Sequence, residues 1–193
     1  MVTNHIFLVV FWLFFGLIHS VLAIISIKKH LIAAIKVKET TYRILYNAVA
    51  IFTLFLVLFY QTSIKSWLLF VPSTIIYILS AVLIISGIVV MAVCMKKYFK
   101  QMAGLQEEIP TLEIYGIHKY IRHPLYLGTF LFIIGIFLAF PLFSNFIGVC
   151  MIIIYTLIGI QFEERKLIKT FGKSYLDYKS KVPMIVPINL KNR

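Results

Sequence analysis

Residues 73–97 read Ser73-Thr-Ile-Ile-Tyr-Ile-Leu-Ser-Ala-Val-Leu-Ile-Ile-Ser-Gly-Ile-Val-Val-Met-Ala-Val-Cys-Met95-Lys96-Lys97, an uncharged run closed by two lysines. A helix gains about 1.5 Å per residue and a bilayer core is about 30 Å thick, so a run of this length can cross. Backbone polar groups in lipid must be satisfied within the segment, which makes a helix the expected form. Four more apolar runs of this kind follow the same logic: residues 6–27, 44–60, 124–140 and 143–161. The last two are short and meet at Pro141, a spacing that predicts a helical hairpin. The whole chain of 193 residues agrees, being 61% hydrophobic and 13% charged, with a mean hydropathy of +0.96. Soluble domains carry about 25% charged residues. The expected fold is all-α: a polytopic membrane protein of about five transmembrane helices, forming a single membrane-embedded domain over residues 1–193 with an amphipathic tail from 162.

Charge sets an orientation. The chain has 19 Lys and Arg against 7 Asp and Glu, a net charge of +12. Residues 28–43, 96–123 and 162–193 hold all of these basic residues except Lys65. The positive-inside rule then places the N-terminus outside and the C-terminus in the cytoplasm. Basic residues in short segments between apolar runs suit anionic lipid headgroups. No basic stripe interleaved with aromatics stands apart from these flanks, so nucleic acid is not an expected partner. All seven acidic residues share the cytoplasmic side: Glu39, Glu107, Glu108, Glu113, Glu163, Glu164 and Asp177. Topology does not explain them, because acidic residues contribute little to it.

Two cysteines, Cys94 and Cys150, lie inside apolar runs and suit buried packing. No CxxC, HxxxH or ExxH spacing points to a metal. The stretch before the first run, Met1 to His5, holds no Lys or Arg, so that run reads as a retained helix rather than a signal peptide.

Chemistry-bearing residues gather in two segments. The first is Tyr115-Gly-Ile-His118-Lys-Tyr-Ile-Arg122-His123-Pro124-Leu125-Tyr126-Leu-Gly128. Pro124 suits the first turn of a helix, where its missing N–H costs nothing. Arg122 and His123 then stand at a helix entrance, which favours an anionic group. Gly128 would allow close approach of a helix or a ligand. The plainer reading is a basic interfacial anchor with belt aromatics. The second segment, Gln161-Phe-Glu163-Glu164-Arg-Lys, puts two carboxylates near a helix C-terminus, where the macrodipole disfavours them. Neighbouring basic residues or a cationic ligand would offset them. The tail from Phe171 to Pro187 reads as a surface anchor with Tyr and Lys at headgroup level. Inside the apolar runs, His19 and Asn47 are either a substrate site or an interhelical hydrogen-bonding pair.

Together these residues carry a resemblance. The Arg122-His123-Pro124-x-Tyr126-x-Gly128 motif, then Glu163-Glu164, then Phe-Gly-x-x-Tyr-x-x-Tyr-x-x-x-Val-Pro resembles the isoprenylcysteine carboxyl methyltransferase family of membrane enzymes over roughly residues 75–187. The resemblance implies a methyltransferase using S-adenosylmethionine at the cytoplasmic face. It implies that His123, Pro124, Leu125 and Tyr126 line the cofactor with Glu163 or Glu164, and that the loop 110–113, including Glu113, closes over it. His118 stands where the family more often has Tyr. Residues 158–162, Ile-Gly-Ile-Gln-Phe, lack the Arg that holds a substrate carboxylate in the isoprenylcysteine enzymes. Phe15-Gly-Leu-Ile-His19-Ser20 and Tyr42-Arg-Ile-Leu-Tyr-Asn47 instead resemble the small-thiol branch.

The expected activity is transfer of a methyl group to a small thiol or to a lipophilic acceptor such as a prenylcysteine carboxylate. Arg122 is the expected catalytic residue, orienting the acceptor anion, and His19 and Asn47 are expected at the substrate. Membrane lipids are the expected surroundings, and no protein partner is implied. The competing expectations are a phospholipid amine methyltransferase and a non-enzymatic membrane scaffold that retains the fold.

Overall fold

The computed structural model describes residues 1–102, 112 and 114–186. Glu107, Glu108, Glu113 and most of the 110–113 loop lie outside the described residues. Among the described residues there are seven α-helices: α1 (Val2–Ala23), α2 (Ile25–Ile35), α3 (Glu39–Ser63), α4 (Thr74–Met102), α5 (Pro124–Ala139), α6 (Phe143–Phe171) and α7 (Lys173–Lys181). A 3-10 turn, Gly116–Lys119, precedes α5. No strand occurs among the described residues beyond one isolated bridge between Leu68 and Leu142.

The protein is therefore a polytopic helical membrane protein. Among the described residues, four helices are long and apolar enough to cross a bilayer: Val2–Ala23, Glu39–Ser63, Thr74–Lys96 and Phe143–Phe171. Their large apolar side chains, such as Phe14, Ile51, Phe59, Ile75 and Ile85, are exposed, as lipid-facing residues should be. Helix α5 is apolar but has 16 residues, about 24 Å at 1.5 Å per residue.

Several boundaries differ from those expected. The first run does not continue through Ile27: Ile24 is extended and a separate helix, α2, starts at Ile25. That helix carries Lys28, Lys29 and His30, which were expected in a connecting segment. Helix α3 begins five residues before Ile44, at Glu39, whose carboxylate meets Lys28 Nζ at 2.6 Å. Most consequentially, α6 runs past Gln161 to Phe171, so Glu163 and Glu164 lie within it, about two turns from its end.

The described residues divide into two compact units. The first combines residues 1–71, 98–102 and 140–152. Its core is Leu8, Trp12 and Val57, with Phe15, Leu54, Ile147 and Met151 packed around them. A relay of side-chain hydrogen bonds runs through it. Trp12 Nε1 donates to Gln61 Oε1 at 3.1 Å, Gln61 Nε2 donates to Asn145 Oδ1 at 3.1 Å, and Asn145 Nδ2 donates to the Phe140 carbonyl at 2.8 Å. His5 is pinned likewise, 2.9 Å from the Met1 carbonyl and 3.0 Å from Ser66 Oγ, which also accepts the Ser144 N–H. The carbonyl facing Nδ1 requires a proton there, so Nε2 accepts from Ser66.

The second unit comprises residues 72–97, 112, 114–139 and 153–186. Here α4 and α5 meet backbone to backbone. Ser80 Oγ donates to the Gly135 carbonyl at 2.8 Å. A methyl group placed on Gly87 would lie 2.7 Å from the Gly128 carbonyl, and one on Gly128 would lie 2.9 Å from Met91 Cγ. The close approach expected at Gly128 is thus that of a neighbouring helix.

Candidate functional site

Pro124 opens α5, as its fixed φ and missing N–H allow. The two residues before it are outside the helix, and their N–H groups need partners. They find them in the tail: Arg122 N–H donates to the Pro183 carbonyl at 2.9 Å and His123 N–H to the Met184 carbonyl at 3.0 Å. The His123 carbonyl in turn accepts from Leu127 N–H. These two N–H groups at the helix entrance are therefore taken by the chain itself.

The side chains follow the same pattern. Arg122 Nε and Nη2 lie 2.8 and 2.7 Å from Glu164 Oε1. Its Nη1 donates to the Lys179 carbonyl at 3.2 Å and also to that of Val182. Lys179 Nζ meets the other carboxylate oxygen, Glu164 Oε2, at 2.6 Å. Glu164 is 3% exposed, so each of its oxygens faces a cation inside the protein. The offset that the sequence required for this carboxylate comes from the chain.

Glu163 is arranged differently. Adjacent helical residues are about 100° apart. Ile160, fully buried, shares the inward face with Glu164 at four residues' spacing, and Glu163 turns away from it. Its side chain is 44% exposed. Tyr126 OH donates to Glu163 Oε2 at 3.1 Å, and His123 Nδ1 lies 3.7 Å from the same oxygen. His123 Nε2 lies 3.3 Å from Glu164 Oε1, so the buried imidazole stands between the two carboxylates. Its ring is stacked with that of Tyr126, with centroids 5.7 Å apart.

His118 lies on the 3-10 turn. Its Nδ1 is 3.3 Å from the Arg122 carbonyl, and its own carbonyl accepts Tyr178 OH at 2.6 Å. Tyr175, on α7, is 1% exposed and its hydroxyl has no hydrogen-bond partner among the described residues. Burial, reinforced by the nearby Glu164 charge, pushes that hydroxyl's pKa above its usual value.

The structure thus brings together His118, Arg122, His123, Tyr126, Glu163 and Glu164 in the second unit, with Pro124 and Leu125 opening α5 beside them. His19 and Asn47 belong to the first unit. There Tyr46 OH lies 2.8 Å from His19 Nε2, and Tyr42 OH, one turn away, donates to the Leu22 carbonyl at 2.8 Å. Tyr46 is thus one interhelical partner of His19. Lys179, Tyr178 and Tyr175 join the site without having been expected there. Their Tyr-x-x-Tyr spacing is plain in the sequence, where it suits a surface anchor equally well.

Helix composition and lipid-facing apolar surface define an integral membrane protein with a buried ionic cluster at one helix entrance. Residues 6–186 match the family model described as NnrU protein, and the chain belongs to that family. It is similar to methanethiol S-methyltransferase 1 of Bradyrhizobium diazoefficiens, 35% identical over 45% of this chain and 30% of the relative. Methanethiol S-methyltransferase of Crocosphaera subtropica is 35% identical over 37% of this chain and 28% of its own length. Protein-S-isoprenylcysteine O-methyltransferase of Xenopus laevis is 38% identical over 40% of this chain and 27% of its own. The chain thus spans less than a third of the length of these relatives. No solved structure matches it.

Proposed function

We propose that the protein is a membrane methyltransferase that takes its methyl group from S-adenosylmethionine and passes it to a small thiol. The observation that carries this reading is the unequal pair at the end of α6. Glu164 is neutralised internally, while Glu163 presents a half-exposed carboxylate braced by Tyr126 and His123. Such a carboxylate suits a cationic ligand. The names of the relatives, all methyltransferases, support the same class.

The donor set fits the cationic part of the cofactor. When bound, S-adenosylmethionine supplies an electrophilic methyl group on a positively charged sulfur. Glu163 would offset the cofactor's amine or sulfonium charge. Tyr126 would hold the carboxylate in place through its hydroxyl, and the buried His123 ring would fix Tyr126 by stacking. Pro124 and Leu125 would line an apolar wall and keep water out. Methyl transfer is an in-line displacement, so alignment in a dry site is most of what the protein must provide.

The acceptor follows from where positive charge is already engaged. Arg122 faces Glu164 and backbone carbonyls, and residues 158–162 contain no Arg. A thiol acceptor needs no guanidinium to hold it, but it must give up its proton, for which His19 would be the base, as the new S–CH3 bond forms and the C–S bond to the donor's sulfonium breaks. His19 beside Tyr46, with Asn47 on the same helix as Tyr46, remains the proposed acceptor contact. In the membrane, the reading is completed by five crossings in a single domain, with α5 as the short fifth, and a cytoplasmic site.

Titrating the purified protein in detergent with S-adenosylmethionine, then offering methanethiol, a prenylcysteine and phosphatidylethanolamine, tests the reading. Saturable binding and methylation of methanethiol are expected. Absence of binding would leave the scaffold role, and methylation of the prenylcysteine or the lipid amine alone would replace the acceptor.

A further inference from the structure

We propose that Arg122 and Lys179 are positioning residues, which latch the tail over residues 173–184 onto the entrance of α5 through Glu164, and that the latched tail is a wall of the donor site. The proposal rests on the methyltransferase reading for its effect on binding, but the latch can be tested without it.

Arginine has five N–H donors. Those of Arg122 are directed at Glu164 Oε1, the Lys179 carbonyl and the Val182 carbonyl, and the side chain is only 8% exposed. A guanidinium so committed has little left for an acceptor. What it does instead is join three pieces of chain that are remote in sequence. Glu164 lies 42 residues away on α6 and Lys179 lies 57 residues away on α7. The second cation, Lys179 Nζ, closes the same carboxylate from the tail side.

Around this ionic centre the backbone forms its own register. Pro183 and Met184 carbonyls accept the N–H groups of Arg122 and His123, and Tyr178 OH reaches the His118 carbonyl. Tyr175 is buried and Ile185 nearly so. A tail held only by headgroups would not bury a tyrosine or order a two-residue backbone register. His123 is fixed from two sides by this arrangement, through its N–H on Met184 and its ring on Glu164. Since His123 stacks on Tyr126 and Tyr126 holds Glu163, displacement of the tail reaches the ligand-facing carboxylate through a short chain of contacts.

The test compares Arg122→Gln, Arg122→Lys, Lys179→Met and, as a control in the same tail, Lys181→Met. Three readouts are taken on the full chain: chymotryptic cleavage after Tyr175 or Tyr178, the Kd of S-adenosylmethionine, and kcat and KM for the acceptor. Arg122→Gln and Lys179→Met should each accelerate cleavage in the tail and weaken donor binding by about tenfold or more, about 1.4 kcal/mol, with acceptor KM unchanged. Arg122→Lys should restore part of both, and Lys181→Met should match wild type. Lys179→Met keeps the test meaningful if Arg122→Gln fails to fold. Unchanged cleavage in both latch variants would overturn the proposal. So would a raised acceptor KM with unchanged donor Kd in Arg122→Gln, which would return Arg122 to the acceptor. A wild-type protein that protects its tail but binds no donor would refute the methyltransferase reading and leave the latch standing.

Discussion

Glu163 and Glu164 are neighbours in sequence with opposite situations: Glu164 is enclosed between Arg122 and Lys179, while Glu163 is half exposed and held by Tyr126. One helical step of about 100° separates a carboxylate enclosed by two cations from one left half exposed.

Replacing each by glutamine should therefore give different defects. Glu163→Gln should lower donor affinity by about tenfold to a hundredfold, about 1.4 to 3 kcal/mol, with little change in thermal stability. Glu164→Gln leaves the buried Arg122 guanidinium facing a neutral amide, while Lys179, 38% exposed, can turn to water; the cost should fall near the lower end of the roughly 3–5 kcal/mol for breaking a buried pair. Thermal unfolding in detergent and donor titration of both variants check the division; equal Tm losses would contradict it.

Glycines on the α4–α5 seam should differ in tolerance. At Gly87 a methyl group would press on backbone atoms, the Gly128 carbonyl and Phe132 N, each at 2.7 Å. At Gly128 the nearest atom is Met91 Cγ, part of a flexible side chain. Gly87→Ala should cost about 1–3 kcal/mol as overpacking, and Gly128→Ala less. At Gly159 an added methyl group would meet nothing within 4 Å. Gly159→Ala should therefore gain about 0.5–1 kcal/mol, the usual advantage of alanine inside a helix. The order of the three Tm values is the measurement.

In the first unit, Gln61 links Trp12 to Asn145. Gln61→Leu removes both hydrogen bonds and should lower stability by about 1–2 kcal/mol, the range for hydrogen bonds between membrane helices. Trp12→Phe should cost part of this and add little to Gln61→Leu in the double variant. Additive losses would show that the relay is not a unit.

Tyr175 supplies a pH test. Burial raises its pKa, so the folded protein keeps the neutral hydroxyl where an unfolded chain, with a pKa of about 10, would ionise. The stability tied to this group is present below that pH and lost as pH rises through it. Tyr175→Phe should thus match wild type at pH 7 and become the more stable of the two above about pH 10. Parallel thermal melts across that range decide it.

Much of the fold was legible because hydropathy is a local property and lipid tolerates little else. Four of the five apolar runs proved long enough to span, and their positions were close. The break at Ile24 was not legible, since Ala23, Ile24 and Ile25 carry no breaker signal; the separate basic helix α2 emerges only where Tyr42 takes up the Leu22 carbonyl. The run past Gln161 was hidden for the opposite reason: charge marks the end of an apolar stretch, while the helix itself continues.

The membrane class, the apolar runs, the clustering of charge between them and the two segments that carry the candidate site all follow from the order of residues alone. What the charges do follows only from the folded chain. Arg122 looks in sequence like an acceptor-orienting group because its side-chain partners lie 42, 57 and 60 residues away, and no local pattern reports them. The tail looks like an anchor because its lysines suit headgroups, yet one of them closes a buried carboxylate. Apolar residues declare their environment from composition, through solvent alone, whereas an ion pair depends on which remote segments the fold brings within a few ångströms.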